Sequence, residues 1–400
     1  MVPSSDPLVS AFSTRFGTPP TGVAIAPGRV NLIGDHTDYN GLPVLPLALD
    51  RSVRIAFRAD PLAAVALDNQ NQRFPPTAFP LATPISMGPA GHWGNYPRAV
   101  ATALLERGPL ARGILGLVSS ELPPASGLSS SSALVVATAL ALLETNGTAY
   151  DSGTLMQWLA IGERLVGTEG GGMDQAVILG GQAGHAIRID FTPDLSLRPV
   201  RIPPSWRFVV ASSLVEAAKS GQAREAYNTR VLECREALLG VGEREPGGFG
   251  RLMQLPEPDR VLVRAEAVLS ATLFRRFRHV LTEGHRVEQA TVALEAGDYL
   301  GMGRLLDASH ASLRDDYQVS GPELDELVTV AREAGAVGAR LTGAGFGGCI
   351  VALAKKDSVG PVMDRIWERY YQPRQIPLAN RDALLFTAVP SDGARIARLG

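Results

Sequence analysis

Lysine is nearly missing from this 400-residue chain. Lys219, Lys355 and Lys356 are the three that occur, so arginine carries almost all the positive charge, scattered along the sequence. With a formal net charge of −2 there is no basic patch to suggest nucleic acid or an anionic membrane as partner. Cysteine is as scarce. Cys234 and Cys349 lie far apart, so one disulfide is formally possible and a disulfide framework is not; reduced thiols in the cytosol are the simpler expectation. Long apolar runs are lacking too: Ala133 to Leu143 falls well short of the roughly 20 residues that span a bilayer. The opening MVPSSDPLVSAF has no basic region followed by an apolar stretch, the mark of a secretory signal. A cytoplasmic, unanchored protein is expected. Two more absences narrow the chemistry. No G-x-x-x-x-G-K-[ST] loop and no protein-kinase loop signature occurs. His92, His185, His279, His285 and His310 have no partner at metal-ligand spacing, so structural or surface roles are expected for them.

What is present describes a globular protein with 45% hydrophobic and 20% charged residues. The length suits two domains, and the proline-broken stretch RPVRIPPSW, Arg198 to Trp206, predicts the boundary: residues 1–204 and 205–400. In the first half, helices are expected at Pro7 to Phe16, from the HWGNY stretch onward, at Ser130 to Glu144 and at Ser152 to Val166. Strands are expected at Val23 to Ala26, Arg51 to Arg58, Gly113 to Ser120, Ala176 to Leu179 and His185 to Asp190. The proline-containing Leu42 to Leu49 reads as an edge or irregular strand. After an apolar strand from Phe208, the second half reads as helices at Ala217 to Leu239, Pro258 to Leu269, His279 to Leu294, Asp298 to Asp316 and Glu323 to Ala334. It closes with a strand after LTGAGFGGC, then a helix and a strand. The fold class is α+β in two lobes.

Four stretches carry chemistry. GRVNLIGDHTDYNG, Gly28 to Gly41, packs Arg29, Asn31, Asp35, His36, Asp38, Tyr39 and Asn40 among apolar Val30, Leu32 and Ile33. That mixture suits a strand end turning into a cleft, its hydrogen-bonding side chains fanned toward a polyhydroxylated ligand. LPPASGLSSSSAL, Leu122 to Leu134, sets a glycine and four serines before the most apolar helix. A helix N-terminus offers unpaired N–H groups and the positive end of its dipole to phosphate. Gly127 allows a close approach, and Ser130 and Ser131 add hydroxyl donors or metal ligation. GTEGGGMDQ, Gly167 to Gln175, carries Asp174 after three consecutive glycines, which are useful mainly where backbone passes close to something. LTGAGFGGCIVAL, Leu341 to Leu353, is a glycine cluster ahead of a strand.

Taken in order, these stretches resemble the galactokinase branch of the GHMP small-molecule kinases. The first is similar to the sugar signature G-R-x-N-L-I-G-E-H-x-D-Y, with Asp35 where the family has Glu. The second is similar to P-x-x-x-G-L-x-S-S-A, with Ser132 where the family often has Ala. The third and fourth are similar to the family's M-D-Q segment and its third motif. The resemblance implies a two-lobed GHMP-kinase-like fold with the active site between the lobes. It implies ATP-dependent phosphorylation of a sugar's anomeric hydroxyl, with Mg²⁺, by Arg29 and Asp174. It places Asp35, His36, Asp38, Gly171 and, on the helix around EAYNTRVLECREA, Tyr227 at the sugar. It places Gly127, Leu128, Ser129, Ser130, Ser131, Gly343 and Gly345 at the nucleotide, with Trp93 or Tyr96 as the aromatic near the adenine. Ser131 is expected at the metal, and Glu163 by analogy with the related mevalonate kinases.

Such a reaction asks for alignment and charge neutralisation more than covalent chemistry. A carboxyl group with an ordinary pKa of about 3.9 is a poor base for a sugar hydroxyl. Asp174 is therefore expected to orient the nucleophile and take its proton late. Arg29 is permanently charged and, if it lies beside Asp174, keeps that carboxylate ionised. Galactose is the first expectation for the substrate, N-acetylgalactosamine the second and L-arabinose, suggested by the short Asp35, the third. A catalytically silent sugar sensor on the same fold is the alternative of a different class. No nucleic acid or membrane partner is expected, and a monomer is the default.

Overall fold

The computed structural model describes residues 3, 5–123, 126–167, 169–216, 222–244, 247–255 and 257–399. The first lobe is built on strands whose inward faces are almost wholly apolar. In chain order they are β1 (Gly22–Asn31), β2 (Pro46–Asp60), β3 (Ala64–Asn69), β4 (Thr77–Pro80) and β5 (Gly113–Ser120). The remaining strands are β6 (His185–Asp190), β7 (Ser196–Arg201), β8 (Trp206–Ser212), β9 (Gly338–Thr342), β10 (Cys349–Lys355), β11 (Leu385–Ala388) and β12 (Arg395–Arg398). The first sheet runs β12-β1-β2-β5-β3-β4, the second β11-β8-β10-β9, and β6 and β7 form a hairpin. One strand crosses the expected boundary: β12, from the end of the chain, pairs antiparallel with β1. The 205–400 half thus returns its last strand to the first sheet.

Helices α1 (Pro7–Phe16), α2 (Asn95–Leu105), α3 (Ser130–Asn146), α4 (Ser152–Arg164) and α5 (Met173–Gly180) belong to the first half. Every residue from Ser132 to Leu143 of α3 is buried. A helix apolar on all sides needs cover on all sides, and β1, β2, α2, α4 and α5 supply it. The second half adds α6 (Gln222–Gly240), α7 (Gly248–Met253), α8 (Pro258–Val268), α9 (Ala271–Ala296), α10 (Tyr299–Ser312) and α11 (Pro322–Glu333). The predicted start of α6, at Ala217, falls on residues 217–221, outside those described, as does Pro124 before the serine run. Among the described residues no helix is long and apolar enough to cross a membrane. Cys234 and Cys349 are both free and buried.

Two expectations are corrected. Ala176 to Leu179 is helix, part of α5, because a four-residue apolar run has no readable period and packing against α3 and α4 decides it. Leu42 to Leu49 and Arg51 to Arg58 are not two strands. From Pro46 they merge into the 15-residue β2, which lies inside the sheet between β1 and β5. Pro46 is tolerated because it stands at the strand's first position.

Candidate active site

Arg29 is aimed by an irregularity in β1, whose register with β2 shifts between Pro27 and Arg29. Its backbone N–H reaches the Leu128 carbonyl at 3.2 Å, and its Nη1 donates to the Gly127 carbonyl. Nε donates to Asp174 Oδ1 at 2.8 Å, with the arginine side chain 4% exposed. The phosphate-type loop and the strand are thereby tied to one carboxylate. Asp174 stands in the first turn of α5, where the helix dipole favours negative charge. Its Oδ2 accepts the hydroxyls of Ser129 at 2.5 Å and Ser132 at 3.2 Å.

Ser129 explains what the start of α3 is free to do. It occupies the N-cap with left-handed φ of 59°, and its side chain makes no capping bond, being turned toward Asp174. The first N–H groups of α3 keep their capacity for an anion. Ser130 and Ser131 open the helix, and Ser131 Oγ lies 3.4 Å from Glu163 Oε1. Glu163, on α4, also accepts Ser132 at 2.9 Å and the Gln175 side-chain amide.

The sugar-signature loop forms the facing wall. Asp35, His36, Asp38, Glu163, Gly171, Asp174, Tyr227 and Gly343 all line one cleft with Arg29. Gly171 donates its N–H to Asp38 Oδ2 at 3.2 Å. A Cβ there would come within 2.4 Å of the Tyr39 nitrogen, so glycine is required by the close pass of the two backbones. Asp38 is half-buried, and desolvation followed by the nearby Asp174 charge pushes its carboxyl up to about 6. His36 sits at a strained φ of 66° and is held neutral, its pKa well below 6.5 because burial disfavours the cation. Its Nδ1 meets the Tyr39 hydroxyl at 2.9 Å, which meets Tyr317 at 2.7 Å, which meets Cys234 Sγ at 3.1 Å. Burial, then the charges of Asp38 and Asp174, push the Tyr227 phenol well above its usual range, leaving it a neutral hydroxyl.

The second lobe closes the cleft with the loop after β9. Gly343 packs so tightly on Gly127 that a Cβ would lie 2.8 Å from the Gly127 oxygen. Gly345 lies next in that loop, against the Val319 carbonyl. Gly127, Leu128, Ser129, Ser130, Ser131 and Gly345 do not line this cleft themselves, and Trp93 does not either. Trp93 is 8% exposed in the core, its ring edge-on to Phe74 at 6.4 Å and its Nε1 bonded to the Pro75 carbonyl at 2.8 Å. With so little of the indole exposed, it offers no open ring face to the adenine expected beside it. Among the described residues no cluster of three or more His, Cys, Asp or Glu side chains could hold a metal ion.

Three family models match the chain. They are the galactokinase galactose-binding signature over residues 10–59, the GHMP kinases N terminal domain over 95–182 and the GHMP kinases C terminal model over 290–372. A galactokinase from Roseiflexus sp. is 39% identical over 392 residues, covering 96% of this chain and 95% of the relative. The chain belongs to the galactokinase branch of the GHMP kinases. The galactokinase of Homo sapiens is 36% identical over 397 residues, covering 96% of this chain and 95% of the relative. The structure of Lactococcus lactis galactokinase complexed with galactose superposes with a TM-score of 0.87 at 31% identity, over 98% of this chain and 99% of that one. The structure of L. major mevalonate kinase in complex with R-mevalonate shares the fold at a TM-score of 0.61 and 21% identity, over 93% of this chain and 97% of that one. Family membership makes the chain a kinase that uses ATP.

Sequence reasoning missed several residues of this site. Ser132 and Gln175, beside predicted neighbours, bind Glu163. Tyr317, given no role from the sequence, supports Tyr39. Arg340 was missed altogether: it lies three residues ahead of Gly343 and reaches Asp35. Its one available signal was its place next to LTGAGFGGC, and an arginine in an apolar strand reads from sequence as a surface residue.

Proposed function

We propose that this chain transfers the γ-phosphoryl group of ATP to the anomeric hydroxyl of galactose, giving galactose 1-phosphate and ADP. One observation carries the reading: Arg29 joins Asp174 to the loop before α3, in the same cleft as Asp35, His36 and Asp38. A carboxylate that orients a hydroxyl therefore stands beside a helix start with spare N–H groups. The relatives named galactokinase, over nearly the full chain, support the substrate.

In this reading Asp174 holds the nucleophilic hydroxyl and receives its proton as the bond to phosphorus forms. Arg29 neutralises charge near the transferring group. Asp38, Asp35, neutral His36, Gly171 and Tyr227 bind the ring hydroxyls. The N–H groups at Ser130 and Ser131, with Gly127, Leu128, Ser129, Gly343 and Gly345, form the phosphate side. The hydroxyl and carboxylate oxygens of Ser131 and Glu163 are hard donors of the type Mg²⁺ accepts alongside phosphate and water, so these residues fit that ion. When bound, Mg²⁺ would supply charge neutralisation for the phosphates. We further read the chain as a cytoplasmic monomer of two domains, 1–204 and 205–400, with β12 returned to the first.

The test is a sugar panel with ATP. Galactose, N-acetylgalactosamine and L-arabinose are compared by kcat/KM with coupled detection of ADP, and the product is checked for phosphate at the anomeric oxygen. Galactose is expected to have the highest kcat/KM. A higher value for another sugar reassigns the substrate, and no sugar-dependent ADP from any of them would make the chain a sensor.

A further inference from the structure

The sugar loop is held from beneath by the second lobe. Glu283, fully buried on α9, accepts the Gly34 N–H at 2.9 Å and is held in turn by Ser309 at 2.6 Å and Arg286 at 2.6 Å. His279 Nε2 meets the Asp35 carbonyl at 3.2 Å. Arg340, on β9 and without solvent exposure, reaches furthest. Its Nη1 donates to the carbonyls of Leu32 at 3.0 Å and Asn31 at 3.3 Å, and its Nη2 donates to the Asp35 carboxylate. We propose that Arg340 is a positioning residue for the sugar site, acting through Asp35: it fixes which carboxylate oxygen and which lone pair face the sugar. The proposal rests on the galactokinase reading of the cleft and adds a residue that never touches substrate.

The hydrogen bonds already made by Asp35 support this role. A carboxylate has about four acceptor positions. Asp35 Oδ1 accepts Asn31 Nδ2 at 3.0 Å and the Gly343 N–H at 3.3 Å, while Oδ2 accepts Arg340. About one position is left for a hydroxyl in the cleft that Asp35 lines. A fork serving two carbonyls and one carboxylate sets that position, which a lysine with one nitrogen does not. Stability alone is a poor reason for the arrangement. Arg340 Nε is buried with no partner, and a buried ion pair is seldom more stable than an apolar pair of the same size.

Charge gives a readout. Burial pushes the Asp35 carboxyl up, and the Arg340 charge is the largest influence holding it down, with Arg29 adding to it. The other groups around it do not replace Arg340. Asp38 and Glu283 are acids, and His279, pushed by burial down to about 4, and His36 are neutral near pH 7.

Wild type, Arg340→Lys, Arg340→Met and the double variant Arg340→Met/Asp35→Asn are compared between pH 5.5 and 8.5, with KM for galactose and for ATP measured separately. In Arg340→Lys the galactose KM is expected to rise at least tenfold while the ATP KM stays within twofold. In Arg340→Met the acid limb of kcat/KM for galactose moves to higher pH, and the double variant loses that displacement because asparagine does not titrate. Should Arg340→Met not fold, the lysine and double variants decide: a selective galactose effect in the first and no displaced limb in the second uphold the proposal. Equal changes in both KM values, or a galactose KM within threefold of wild type, overturn it. A wild-type protein inactive on galactose is a failure of the functional reading instead, and the same ratios are then taken with whichever sugar is phosphorylated.

Discussion

Replacing Asp38 by asparagine should make the ligand-free protein more stable and the enzyme worse. The carboxyl is pushed from its ordinary 3.8 up to about 6 by burial first and by Asp174 second. The folded protein therefore holds this proton more tightly than the unfolded chain does. Between about pH 4 and pH 6 its contribution to stability declines as pH rises, and above that the full cost of a charged Asp38 is present. The difference between 3.8 and about 6 corresponds to up to about 3 kcal/mol at pH 8, and roughly half of that at pH 5. Asparagine removes the charge while its Oδ1 can still accept the Gly171 N–H now held at 3.2 Å. The assay is thermal unfolding of both proteins, without ligand, at pH 8 and pH 5. At about 2–4 °C per kcal/mol for a cooperative unit of this class, the variant should gain several degrees at pH 8 and clearly less at pH 5. Its kcat/KM for galactose should fall at least tenfold, because a hydroxyl loses a charged acceptor, and the wild-type acid limb near pH 6 should vanish. A variant that gains equally at both pH values, or loses stability at pH 8, would refute the assignment of a desolvated, charged Asp38.

Three further outcomes are expected. Asp174→Asn should lower kcat by roughly 10²–10⁴-fold while isothermal titration still detects the sugar; a near wild-type rate would remove Asp174 from the mechanism. Gly171→Ala drives a Cβ to within 2.4 Å of the Tyr39 nitrogen, so the sugar KM should rise at least tenfold, and unchanged kinetics would show that the loops do not touch. Leu140→Ala, at a side chain 1% exposed on the all-buried α3, should cost about 2–5 kcal/mol in denaturant unfolding, and a loss below 1 kcal/mol would mean that the helix is not the core of its lobe.

Much of this molecule could be read from residue order. The absence of apolar runs, the mixed polar and apolar Gly28–Gly41 stretch and the serine run before an apolar helix are local patterns, and local patterns survive without neighbours. α1 is found where it was expected, at Pro7–Phe16, and Ser130 does open α3. The misses share a cause, since each was decided by partners distant in the chain. The run Ala176–Leu179 is helical because α3 and α4 surround it. β12 pairs with β1 from the opposite end of the protein, 372 residues away at the Ala24–Ile396 partners, and no period within either segment announces that.

The sequence by itself determined the kind of chemistry: which donors, which carboxylate and which glycines were available, because these are properties of single residues and short spacings. Tertiary structure alone decided how they act on one another. It turned Ser129 away from capping and onto Asp174, raised the Asp38 carboxyl by enclosing it beside a second acid, and set Arg340 of the second lobe against Asp35 of the first. Hydrogen-bond geometry and desolvation depend on what surrounds a group in space, and in this protein those surroundings come from both lobes.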